Sequence, residues 1–89
     1  MRIGNLYATR SIDELMQENK YFRDELNQAL GKFINNDWGI TCDEDVLLNN
    51  LAVETGERIV AVYNTCKGKI WIISEYERTA TTILFPSEY

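Results

Sequence analysis

The sequence predicts an α+β fold in a single domain spanning residues 1–89, with two or three N-terminal helices packed on a three-stranded antiparallel β-meander. Apolar residues recur at helical spacing in the first half of the chain, as at Phe22, Leu26, Ala29, Leu30 and Phe33. After Gly56 the period changes, and three segments rich in β-branched residues follow, separated by gaps of turn length. The chain has 89 residues, 45% of them hydrophobic, which suffices for one small core. A domain of this size buries only roughly 60% of its unfolded surface, which leaves no spare volume for a deep cofactor cleft.

Taken in order, residues 6–9 read as a short extended piece. Ser11 with Glu14 matches a capping box, the side-chain solution for unpaired amides at a helix start. Ile12, Leu15 and Met16 then follow at helical spacing. Asn19 or Lys20 opens a longer helix that carries the Phe22–Phe33 stripe and ends at Asn35-Asn36-Asp37, with Gly39 as a turn residue. Gly31 interrupts this stripe at a cost of about 1 kcal/mol relative to alanine, so a close backbone contact is expected there. Thr41 with Glu44 forms a second capping box ahead of Val46, Leu47, Leu48, Leu51 and Ala52, and Gly56 stops that helix. Residues 58–65, 69–75 and 79–85 are the strands. Cys66-Lys67-Gly68 forms a hairpin loop between the first two, and Pro86 ends the third.

Composition narrows the function classes. The net charge is −5 and there is no histidine. An acidic chain does not hold a duplex phosphate backbone by bulk electrostatics, so a partner in a nucleic-acid pathway is expected to be its basic protein, without direct nucleic-acid contact. Without histidine, the commonest general base and zinc ligand is missing, and the chain is not expected to be an enzyme. A small hydrolase using Glu75 or Glu77 would need a metal or a second chain to complete its site. Two cysteines make no disulfide framework, and neither sits in a C-x-x-C pair. Cys42 lies near a helix start, where a thiol can be activated, but a small packed residue is the favoured reading. No glycine-rich phosphate loop, signal peptide or membrane-length apolar run is present, which leaves a cytoplasmic protein without cofactor or metal as the expectation.

The window from Asp37 to Glu57 carries six acids, Asp37, Asp43, Glu44, Asp45, Glu54 and Glu57, and no Lys or Arg. It lacks the ligand spacing of a calcium loop. Asp43, Glu44 and Asp45 suit a helix start, where each offsets the positive end of the dipole by roughly 0.3–1 kcal/mol. Glu54 and Glu57 lie near the opposite end, where that argument reverses. Residues 1–57 hold eleven acids and five bases, whereas residues 58–89 hold three acids and four bases. The negative charge therefore belongs to the helical part and suits a basic partner. Trp38 reads either as an apolar anchor beside these charges or as core. On the central strand, Trp71, Ile73 and Glu75 share one face, and Ile70, Ile72 and Ser74 share the other. Both faces are apolar, so a homodimer through the sheet or its edge is the second reading.

The chain also resembles a group of short proteins carried on bacterial plasmids, integrative elements and phages. The resemblance rests on Asp37-Trp38-Gly39, Cys42, Asp45, Asn49, Arg58, Ala61, Tyr63, Lys69-Ile70-Trp71-Ile72, Glu75, Arg78, Thr81-Thr82-Ile83-Leu84, Pro86 and Glu88-Tyr89, with Thr9-Arg10 and Ile12 near the start. It implies an accessory protein of mobile DNA, similar in setting to anti-CRISPR and anti-restriction proteins. The expected function is a small acidic protein-binding module that occludes a basic groove on a CRISPR effector or restriction enzyme. The expected contact residues are Asp37, Trp38, Asp43, Glu44, Asp45, Glu54 and Glu57. Arg58, Glu75 and Arg78 are expected either to form an ion-pair set that orders the turns or to belong to a functional surface.

Overall fold

The computed structural model describes residues 1–89. In chain order the elements are β1 (Asn5–Ala8), α1 (Arg10–Glu18), α2 (Lys20–Ile34), α3 (Asp43–Thr55), β2 (Ile59–Thr65), β3 (Gly68–Ser74) and β4 (Ala80–Leu84). Short 3-10 turns at Tyr76–Arg78 and Pro86–Glu88 flank β4.

The α+β class is as expected, but the sheet has four strands in the order β1-β4-β3-β2 and is mixed. The pairs β2–β3 and β3–β4 are antiparallel, which makes the expected meander. The extended piece at the start adds a fourth strand, β1, parallel to β4 in the register Leu6↔Thr81 and Tyr7↔Thr82. A parallel pair needs no tight turn, so local sequence carries no signal for it. Two side chains hold the entry to β1. The Thr81 hydroxyl donates to the Ile3 carbonyl (2.7 Å) and lies 2.9 Å from the Ser74 hydroxyl, so both groups are satisfied where they are buried. Gly4, at φ 61°, lies so close to the Arg78 and Thr79 carbonyls that no side chain fits there.

The α2 stripe forms as its spacing predicts: Phe22, Leu26, Ala29 and Phe33 are its buried residues. The Asn19 side chain caps the helix by accepting from Phe22 N–H (3.1 Å). This stripe, with Ile12 from α1, covers the inner sheet face made by Ile59, Ala61, Tyr63, Ile70, Ile72 and Ile83. The outer face carries Val60, Val62 and Trp71, all half-buried. The C-terminal turn folds back over it, setting the Tyr89 ring edge-on to Trp71 at 5.5 Å with the Arg58 guanidinium 5.3 Å from the Tyr89 ring centre.

Neither expected capping box forms. Helix α1 begins at Arg10 with Thr9 at its N-cap, and the Ser11 hydroxyl instead donates to Glu88 (2.5 Å). Helix α3 begins after Cys42, and Thr41 is drawn into the sheet edge. In both cases a tertiary partner outcompetes the local one. Gly31 makes no close backbone contact, because the space where its Cβ would stand is open.

Candidate functional site

The site is built on α3 and on how that helix is seated. The α3 helix packs on β2, and its buried residues are Asn49 and Ala52. Asn49 Nδ2 donates to the Val60 carbonyl (2.9 Å), an outward-pointing group of the β2 edge. Because the seam uses an asparagine and an alanine, the leucines of the helix lie elsewhere. Leu47, Leu48 and Leu51 are 71%, 59% and 58% exposed. At 3.6 residues per turn, Glu44, Leu47, Leu51 and Glu54 share one outer stripe. The helix has no Lys or Arg. Its solvent face is thus two leucines one turn apart with a carboxylate on either side, flanked by Leu48 and Asp43.

Leu48 and Asp45 turn towards the outer sheet face, where they border a groove of about 430 Å³ together with Val60, Val62, Trp71 and Tyr89. The leucine patch and the groove adjoin, so an apolar side chain can enter between α3 and the sheet beside a carboxylate. The ion pairs in the structure are Arg10–Glu14 and Arg58–Glu75, so none of the six window acids is neutralised within the chain.

The expected site residues divide. Asp43, Glu44, Asp45 and Glu54 are exposed together on α3. Glu57 is exposed just past Gly56, which takes the left-handed conformation at the helix end. Asp37 is exposed but serves the preceding loop. Its carboxylate accepts from Gly39 N–H (3.1 Å) and its carbonyl accepts from the Tyr63 hydroxyl (2.8 Å). Burial, and then the charge of Asp37, pushes the Tyr63 phenol above its ordinary range. Trp38 is 3% exposed and is core: its ring meets Phe33 edge-on at 5.4 Å, and its Nε1–H donates to Asn50 Oδ1 (2.8 Å). The apolar part of the surface is therefore the leucines of α3, which the sequence reading placed on a helix without assigning them to a surface. The available signal was their scatter: Val46, Leu47, Leu48 and Leu51 spread over about 200° of the helix, wider than one core-facing stripe.

Arg58 and Glu75 pair at 3.3 Å. Arg78 binds main chain and no carboxylate: its guanidinium donates to the carbonyls of Glu57 (2.6 Å), Ala52 (2.7 Å) and Glu75 (3.3 Å). It thereby caps the C-terminal end of α3 with positive charge. No three carboxylate or thiol groups converge as metal ligands would. No helix is long and apolar enough to cross a membrane. Cys42 is exposed, which overturns its reading as a packed residue.

The class defined by fold and site is an α+β domain that presents an acidic, leucine-bearing helix at one edge of a mixed sheet. Comparison with protein-family models, with curated proteins and with solved structures gives no match.

Proposed function

We propose that the protein is a small protein-binding module of a mobile genetic element, acting like an anti-CRISPR by occluding a basic groove on a host defence nucleoprotein. One observation carries the reading: α3 turns Leu47, Leu48 and Leu51 to solvent among four unpaired carboxylates, Asp43, Glu44, Asp45 and Glu54. Exposed leucines at this density are unfavourable in a free monomer and are typical of a surface that is covered in use. Leu47 and Leu51, one turn apart with Leu48 beside them, are the apolar anchors, and the rim charge selects a cationic partner. The same carboxylates take the place of phosphates in a basic groove, and the resemblance to accessory proteins of plasmids and phages supplies the setting. Burial of the leucines provides affinity, and the acids speed encounter.

The test is affinity purification of the tagged protein from a bacterial lysate containing defence systems, with mass spectrometry of what co-elutes. The expected result is one enriched CRISPR component or restriction subunit that is lost in high salt. Leu47→Ser with Leu51→Ser should abolish its recovery, and Asp43→Lys with Asp45→Lys should weaken it most at low salt. Binding unchanged by the charge reversal overturns the acidic face. Binding unchanged by the leucine pair overturns the helix as the contact.

A further inference from the structure

We propose that β1 is a self-association edge, at which a second copy of this chain adds its own β1 antiparallel and joins the two sheets into one of eight strands. The observation is a short edge strand that nothing covers. All four residues of β1 are exposed, with Leu6 at 45% and Tyr7 at 54%. Asn5 N–H donates to Thr79 O and Thr9 N–H to Ile83 O, so the odd-numbered residues face β4. By strand alternation, Leu6 and Ala8 direct their N–H and C=O groups away from the sheet. The strand carries no charge, proline or bulge, three devices that keep an edge from pairing, and its four residues alone limit how much it can pair. Behind it, between β1 and the helices, lies a hollow of about 300 Å³ lined by Leu6, Met16, Leu26, Leu30 and Ile83, with Asp13 at its rim.

Register and occupant both follow from the strand itself. In the pairing that uses both outward residues, Leu6 of each copy lies opposite Ala8 of the other. This makes four main-chain hydrogen bonds, with a two-fold axis at Tyr7. Each Leu6 then reaches over the partner's hollow, and the two Tyr7 rings meet on the other face. Charge favours this antiparallel arrangement. Arg2, which makes no ion pair, precedes β1, whereas past its other end Arg10 and Glu14 cancel as an ion pair and Asp13 and Glu88 remain. Antiparallel pairing sets Arg2 of each copy beside the acidic end of its partner, and parallel pairing would set like ends together. An interface of four residues a side is small, which places the dimer in the weak range of about 1 μM to 1 mM.

The α3 surface lies at the opposite sheet edge, so this inference is independent of the function proposed above, and Asp43→Lys with Asp45→Lys should leave the dimer intact. The test is sedimentation of the full chain between about 1 μM and 1 mM, the range of weak association. The expected mass rises from the 10.3 kDa monomer towards twice that value. Ala8→Pro removes an outward N–H without touching the β4 ladder, and should hold the mass at 10.3 kDa with an unchanged thermal melt. A cross-link reads the register. In a chain with Cys42→Ser and Cys66→Ser, Tyr7→Cys places two sulfurs on the axis. The Cα separation there is about 4.5 Å, within the span of about 4.4–6.8 Å that a disulfide bridges. Mild oxidation should give a covalent dimer with Tyr7→Cys and none with Asn5→Cys. A monomer at about 1 mM, the weak end of that range, overturns the proposal. Equal cross-linking at the two positions overturns the register.

Discussion

At the β2 edge of the sheet, the Val60 carbonyl accepts from Asn49, the Val62 N–H donates to Thr41, and the Val62 carbonyl accepts from Ile40 N–H. At the β1 edge, the corresponding groups of Leu6 and Ala8 meet no protein partner. One edge is closed by side chains from a helix and a loop, and the other is left as a template. Closing the β2 edge has a consequence for α3. The helix must offer a polar side chain to the strand, so Asn49 occupies its buried seam and the leucines are displaced to the surface. The exposed apolar face of α3 and the covered edge of β2 are thus two results of one packing choice.

The largest effect that could break this comparison comes from Thr41. Its hydroxyl donates to the Trp38 carbonyl (2.5 Å) and accepts from Val62 N–H (2.9 Å). Thr41→Val keeps the shape, leaves the Val62 N–H unpaired where water is scarce at about 1–3 kcal/mol, and leaves the Trp38 carbonyl with only the Thr41 N–H (3.2 Å). Urea unfolding should show the midpoint falling with an unchanged slope. Asn49→Ala is next: it frees the Val60 carbonyl and should cost about 1–3 kcal/mol by the same measurement. A stable Thr41→Val protein would mean that the β2 edge needs no closure, and the contrast with β1 would lose its energetic content.

Gly31 touches neither edge and calibrates the scale. Its Cβ position is open, and it lies inside a regular helix. Gly31→Ala should therefore stabilise the protein by about 0.5–1 kcal/mol, read as a rise in melting temperature. Leu6→Thr, on the open edge, should change monomer stability by less than about 0.5 kcal/mol, as exposed substitutions do. Together these sharpen the comparison: the same kind of sheet edge should be costly to alter on one side and nearly free on the other.

What the sequence made legible follows the range of the interactions. The α2 stripe, the period change after Gly56 and the β2–β3 hairpin are local patterns, and each stands where it was expected. The Asn19 cap is local as well. The β1–β4 pair joins residues more than seventy positions apart with no turn to announce it. Ser11 and Thr41 had the right local partners and chose distant ones. The charged part of the candidate site was legible because charge is counted directly from the residues. Its apolar part was not, because whether Leu47 or Asn49 faces the sheet depends on an edge carbonyl that only the folded β2 supplies.

The smallest predicted effect tests such a distant bond by pH. Glu88 accepts from the Ser11 hydroxyl (2.5 Å), Phe85 N–H (2.8 Å) and the Thr9 hydroxyl (2.9 Å), which ties the C-terminal turn to the start of α1. The Ser11 bond foremost, and then the Phe85 amide, hold the Glu88 carboxyl below its usual 4.5. A carboxyl whose folded value is depressed adds stability that is fully present above its unfolded value and is lost as pH falls through the folded one. Glu88→Gln keeps the side chain's length and removes that titration. The gap in melting temperature between native protein and variant should therefore be constant near neutral pH and close below about pH 4.5, the ordinary value of the free side chain. Subtracting the variant at each pH cancels every pH effect that the two proteins share. The gap should also shrink in high salt, because the bonded carboxylate is exposed. A gap that persists at pH 3 would mean that Ser11 and Thr9 hold the glutamine as well as they hold the carboxylate, and that hydrogen-bond geometry, with no contribution from charge, joins the two ends of the fold.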